Sequence, residues 1–337
     1  MTNNTQIDPG KTKPPRRLLN RGRVGITICL LLVLWFCSGW IWPSRSRRII
    51  DDFRKRNIAF VGRTESEGFL PGYEWQEGIR RILNPLSSNQ LKYASKNFSD
   101  EEMKLLPEIG RLETVSIPGT SITDQGLLSL DKVRGLKYLN LEKTPITDNG
   151  LSSLEPLHRL TALSLSYVPG ISDKGMSSVG KLTHLTHLRI SDTKVTDQGL
   201  AHLVPLTALV DLNLSGTRVS DAGMSTVAGM KNLVSLDLSN TDITDNGLLR
   251  LAPLGKLTLL KLNKSAVTDA GLVHLAAFGR LMFVELQETS VSDVGLKHLL
   301  QVPNLWSVSF KGTKVTSEGK KRIKKIHPTL DNVDWPP

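Results

Sequence analysis

The sequence predicts an α/β solenoid, with a parallel sheet on the concave face and helices on the convex face, preceded by an N-terminal transmembrane helix. Three observations predict it. A 24-residue pattern recurs through most of the chain. Within each copy, alternating leucines give way to leucines at helical spacing. Ahead of the copies, residues 24–42 hold no charge at all.

The uncharged run, VGITICLLLVLWFCSGWIW, would span roughly 28 Å as a helix, close to the hydrocarbon thickness of a bilayer. Trp40 and Trp42 lie at one end, where interfacial aromatics settle. The run is long for a cleaved signal segment, although Cys37-Ser38-Gly39 is a passable cleavage site. An uncleaved single-pass anchor is the expectation. Six Lys or Arg flank it on each side: Lys11 through Arg23 before it and Arg45 through Arg56 after it. Positive charge alone therefore leaves orientation tied. A short tail with six positive charges resists translocation, so the repeats are expected on the extracytoplasmic side of a plasma or inner membrane.

The chain has 337 residues, 39% of them hydrophobic and 22% charged, which excludes global disorder. Cys29 and Cys37 both fall inside the uncharged run, so no disulfide framework is expected elsewhere. The net charge of +11 suggests nucleic acid until it is located. Residues 1–50 carry nine Lys/Arg and one Asp, and residues 311–337 carry seven against three. Residues 111–310 carry eighteen of each sign. A nucleic-acid groove needs cations along one face of the folded part. The neutral middle argues against one.

The repeat is anchored on T-x-[IV]-[TS]-D-x-G, seen at Thr120–Gly126, Thr144–Gly150, Thr193–Gly199, Thr217–Gly223, Thr241–Gly247 and Thr289–Gly295. Ser265 and Pro169 replace the Thr in two copies, and the Pro169 copy is one residue longer. In the last copy, at Thr313–Gly319, Ser317 stands in the Asp place. L-x-x-L-x-L precedes each anchor, as in Leu136/Leu139/Leu141. A degenerate first copy runs through Leu91, Tyr93 and Phe98-Ser99-Asp100, and Leu330/Val333/Trp335 reads as a closing copy without its helix.

The pattern LxxLxLxxTxITDxGLxxL resembles leucine-rich repeat proteins. It is similar in particular to the cysteine-containing subclass that accompanies F-boxes, with Thr in the Cys place, and to bacterial membrane-anchored leucine-rich repeat proteins. The resemblance covers about residues 88–337. It implies a right-handed leucine-rich repeat solenoid that binds a protein partner. A second implied reading is a substrate-recognition subunit of a ubiquitin-ligase-like assembly, but no F-box is seen.

The residues support that fold independently. In L-x-L the leucines point to one side and the intervening residues to the other. One repeat cannot bury enough apolar surface alone, so neighbours must stack. The Thr hydroxyls are expected to satisfy backbone groups where the chain turns. Asp124 and its counterparts are expected to cap the following helices, each cap worth about 1 kcal/mol. The recurring Gly permits close approach of adjacent coils. The predicted organisation is a basic tail at 1–23 and the transmembrane helix at 24–42. A linker and N-terminal cap with the degenerate copy fill 45–110. Nine repeats follow at 111–319 and a C-terminal cap at 320–337. Within the caps, helices are expected near 45–57, 74–83 and 318–326, and a strand at 58–61.

No catalytic motif survives inspection, and an enzyme is not expected. Gly175 to Lys181 mimics a phosphate loop, but Leu182 follows and the segment lies in repeat register. Leu106-Pro107-Glu108 mimics an F-box opening in the same way. His202, His274 and His298 share one tolerant helix position, where a solvated face is expected and a metal site is not. His184 and His187 fall on opposite faces of a strand. No metal and no small-molecule cofactor is expected.

Partner binding is expected on the strand positions that point away from the core. One column runs Ser116, Asn140, Ser164, Arg189, Asn213, Asp237, Lys261, Glu285, Ser309. The other runs Thr114, Tyr138, Ala162, His187, Asp211, Ser235, Leu259, Phe283, Ser307. Tyr138, His187, Arg189 and Asp211 are polar candidates. Leu259 and Phe283, with Met282 and Trp306 beside them, form an expected exposed apolar cluster. Asp237, Lys261 and Glu285 are expected to pair among themselves.

Overall fold

A computed structural model describes residues 90–92, 98–109 and 112–326, all within one compact unit, 45–337. The anchor at 24–42, the cap elements expected between 45 and 83, and the closing copy at Leu330/Val333/Trp335 lie outside the described residues. Among the described residues, no helix is long and apolar enough to cross a membrane.

Among the described residues, ten parallel strands of three residues each form one sheet, in sequence order. They are β1 Gln90–Lys92, β2 Thr114–Ser116, β3 Tyr138–Asn140, β4 Ala162–Ser164, β5 His187–Arg189, β6 Asp211–Asn213, β7 Ser235–Asp237, β8 Leu259–Lys261, β9 Phe283–Glu285 and β10 Ser307–Ser309. The register aligns both predicted columns, for example Tyr138 with Ala162 and Leu259 with Phe283. The middle residue of every strand from Val115 to Val308 is buried. Alternation makes this unavoidable, because the inward-facing first leucine of each L-x-L, or the Val in its place, is the strand's middle residue. The ladder continues past the strands: Leu141 N–H donates to Ser164 O at 2.9 Å and Leu165 N–H to Arg189 O at 2.8 Å.

The chain then turns through one left-handed residue per repeat. Gly119, Gly216 and Gly312 fill the position in three repeats. Lys143, Tyr167, Asp192, Asn240, Lys264 and Glu288 fill it in six others, with φ between 54° and 60°. A side chain there costs roughly 1 kcal/mol or more. The Thr that follows stabilises the turn as expected: its buried hydroxyl donates to the carbonyl three residues back, Thr144 to Leu141 O and Thr193 to Ile190 O, both at 2.7 Å. The longer copy puts Tyr167 at the turn and Gly170 beside Thr147 in an isolated bridge. A Cβ on Gly170 would strike the Ile146 carbonyl.

The helical side is less regular than predicted. Among the described residues five helices begin on the Asp, at Asp100–Met103, Asp124–Leu127, Asp173–Val179, Asp197–Ala201 and Asp245–Leu251. Gly150–Leu154 and Gly271–Ala277 are 3-10 turns. Pro156, Pro205, Pro253 and Pro303 follow closely in several repeats and prevent continuation. The basic helix expected at 318–326 is Ser317–Ile326, with Ile323 turned inward.

The expected Asp caps need correction. The capping residue is the preceding Thr: Thr123 accepts from Gln125 N–H at 3.3 Å and Thr244 from Asn246 N–H at 3.2 Å. The Asp carboxylate instead reaches the next repeat. Asp221 accepts the Thr244 amide at 2.8 Å on one oxygen and the Thr244 hydroxyl at 2.5 Å on the other. The same two-bond rung joins Asp100 to Thr123 and continues copy by copy to Asp293 and Thr316. In the degenerate copy Asp100 makes its rung while Ser99 and Glu102 form a capping box. The recurring Gly makes room for the rung. A Cβ on Gly150 would collide with the Asp124 carboxylate, and one on Gly247 with that of Asp221.

Candidate functional site

The residues of the outward sheet face differ from copy to copy, and all eight candidates lie on or beside it. Tyr138 opens β3, and burial pushes its phenol up to about 12. His187 and Arg189 are the outer residues of β5, and Asp211 is paired in register with His187. Arg189 Nη2 lies 3.5 Å from Asp211 Oδ2, with both side chains nearly covered, at 12% and 8% exposure. Burial holds the His187 imidazole below its ordinary pKa, against the pull of Asp211. The Thr186 hydroxyl sits 2.9 Å from its Nδ1.

Further along, Lys261 Nζ pairs with Glu285 at 2.9 Å. Asp237, expected to join that row, instead accepts the Ser239 amide at 3.0 Å. Burial raises the Asp237 pKa in spite of that bond and of Lys261. The Lys261 and Glu285 charges are thus matched within the protein, and a partner gains little by supplying its own there.

The apolar candidates are brought together. Leu259 and Phe283 are register partners on β8 and β9. The Phe283 and Trp306 rings meet edge to face, with centroids 5.2 Å apart at 80°. Trp306 N–H donates to the Met282 carbonyl at 2.8 Å, which fixes Trp306 beside Met282. Trp306 is exposed at 41%. Two expectations change. Leu259, Phe283 and Met282 are half-buried, and Asp211, Ala162, Asn140 and Ser164 are buried outright. Strands about 4.8 Å apart shade one another's short side chains, so an outward direction does not guarantee exposure.

One feature of this rim was not among the candidates. Tyr167 is 51% exposed at a left-handed turn, and Lys143 Nζ lies 5.1 Å from its ring centroid. The neighbouring Asp192 carboxylate, with some burial, raises its phenol pKa. The available signal was its place in the repeat, where Gly119, Gly216 and Gly312 stand in other copies.

The two mimics lie in repeat register. Gly175 to Lys181 is the helix Asp173–Val179 and its turn, and Leu106–Ile109 is a single 3-10 segment. His202 is exposed on the helical side, and His274 and His298 are half-buried there. Among the described residues no group of three or more His, Cys, Asp or Glu is placed to hold a metal.

A family model described as leucine-rich repeat matches residues 136–154, 181–204 and 229–252, three stretches that each span a strand and its helical return. The chain carries leucine-rich repeats. Internalin C2 of Listeria monocytogenes is a similar solved structure, 28% identical with a TM-score of 0.50, covering 64% of this chain and 84% of its own. Another internalin of that strain, inlF, is 21% identical with a TM-score of 0.43, covering 81% of this chain and 100% of its own. A leucine-rich repeat protein of Leptospira interrogans is 16% identical with a TM-score of 0.41, covering 69% of this chain and 68% of its own. No curated protein matches.

Proposed function

We propose that this leucine-rich repeat chain is a membrane-tethered protein-recognition module that grips a protein partner on the outward sheet face near β8 to β10. The observation that carries the reading is the Phe283–Trp306 pair, flanked by Leu259 and Met282, on a face where Arg189 pairs with Asp211 and Lys261 with Glu285. A half-buried and an exposed aromatic held in a fixed geometry are typical anchors of a recognition surface. Stacked repeats present such extended surfaces as a rule. Tyr138, His187 and Arg189, the last held by the buried Asp211, form the polar floor that would orient the partner. The Thr hydroxyl bonds at the turns support placing the repeats in the cysteine-containing subclass with Thr substituted.

The tether is residues 24–42, with the repeats outside the cytoplasm; its support is the uncharged run and its flanking cations. Pull-down from native membranes with the full chain supplies the partner. The double variant Phe283→Ala/Leu259→Ser is expected to weaken that complex by at least about 2 kcal/mol. Undiminished affinity, with an unchanged melting curve, removes this patch as the site. Phosphatase and fluorescent-protein fusions at the C-terminus test topology. A fluorescent, phosphatase-inactive fusion reverses the orientation.

A further inference from the structure

The helical side carries a second cluster that the sheet-face reading does not use. In the column two residues after the repeat Gly, the first regular copy holds Leu128, 54% exposed and remote from the C-terminal cations, and the middle copies hold Ser152, Ser177, Ala201 and Ser225. The later copies hold Leu249, Val273 and Lys297, and Lys321 continues the column on the C-terminal helix. Leu249 is 54% exposed, Val273 42%, and Val294, beside this column, 63%. The C-terminal helix Ser317–Ile326 adds Lys321, Arg322, Lys324 and Lys325, all exposed, with Lys320 half-buried. Ile323 anchors that helix inward, and Arg322 donates to the Asp293 carbonyl at 3.3 Å, so its outer face is fixed on the solenoid. The rest of the repeat region is neutral.

We propose that this face, from Leu249 to Lys325, docks on an anionic lipid bilayer. Charge complementarity selects the occupant. Several cations within one short helix are attracted to an anionic headgroup layer within a Debye length, and the neutral remainder of the repeats neither adds to this nor opposes it. The aliphatic side chains next to them supply the shallow apolar contact that interfacial binding uses. A protein partner would be recognised by aromatic anchors in a shaped pocket. This face has instead flexible lysine stems and aliphatic side chains of the helical side, which suit a fluid, charged plane. The docking does not depend on the tether, which would only raise the local concentration of lipid.

Amide hydrogen exchange of the full chain tests it, with vesicles of phosphatidylcholine alone or mixed with phosphatidylglycerol. Exchange in the Ser317–Ile326 helix and at Val294–Leu299 is expected to slow at least about tenfold with the anionic vesicles, since docking closes local opening. The slowing should vanish in molar salt and in the variant Lys321→Glu/Lys324→Glu/Lys325→Glu, whose sites are exposed. Val273→Ser/Val294→Ser should reduce it in part. Equal exchange with both vesicles overturns the proposal. So does slowing by polyglutamate without slowing by anionic vesicles, which points to an acidic protein. Retention on neutral vesicles in molar salt reports the 24–42 tether separately, so either reading can fail alone.

Discussion

The Asp ladder on the helical side and the outward face of the sheet are built from the same stacked copies, yet they obey opposite rules. The ladder repeats without a gap from Asp100 to Thr316, each carboxylate holding an amide and a hydroxyl of the next copy. The sheet face changes at almost every step, from Tyr138 through Arg189 and Asp237 to Phe283. The ladder's bonds run between neighbouring copies, so identity at every copy is the condition for stacking. The sheet face has its backbone bonds satisfied by neighbouring strands whatever the side chain, which leaves those side chains available for specificity.

The largest effect should come from breaking a rung. Asp221→Ala removes the acceptor for both Thr244 groups and is expected to destabilise the domain by about 3 kcal/mol, the sum of two charge-assisted bonds. Asp237→Ala on the sheet face should change stability far less, because burial already disfavours its charge. Denaturant melts of the two variants compare the regions directly, and equal losses would erase the distinction.

A smaller effect, of opposite sign, is expected at the rim between the two regions. Lys264 holds a left-handed conformation at φ 57°, as Gly216 does in another copy. Lys264→Gly should therefore stabilise by up to about 1 kcal/mol, net of the added freedom of the unfolded chain. A lower melting temperature would show that the Lys264–Glu288 pair at 3.6 Å outweighs the backbone strain.

The smallest effect concerns acid. Burial opposes ionisation of Asp293, but the two Thr316 bonds and Arg322 outweigh it and hold its carboxyl below the ordinary 3.8. Its stabilisation is full above that value and is lost as pH falls through the lower folded-state pKa. Asp237 is shifted upward, so its contribution is full at low pH and is lost as pH rises through its raised pKa. Titration of Asp293→Asn and Asp237→Asn melting curves should show the two variants departing from the parent in opposite pH directions. Parallel curves would mean the two carboxylates sit in like surroundings.

The register of the sheet was legible because a constant 24-residue step, with leucines at alternate positions, permits only one pairing that keeps every leucine inward. The Thr hydroxyl bonds were legible too, since they reach only three residues back. The Asp partner was not. A carboxylate before a helix has a good local use as a cap, and nothing in one copy reveals that the amide of residue 244 lies nearer to Asp221 than its own helix does. That depends on the distance between stacked coils, which Gly247 sets by having no Cβ.

At the candidate site, the pairing of Leu259 with Phe283 follows from repeat arithmetic, while the tilt that brings Trp306 edge-on to Phe283 does not. Nor does the covering of Asp211 and Ser164, which depends on how far adjacent side chains lean across a three-residue strand. Periodicity dictates which residues share a column, because it is a property of one chain's spacing. Burial, rung bonds and ring geometry belong to the gap between coils, and that gap exists only once the copies have stacked.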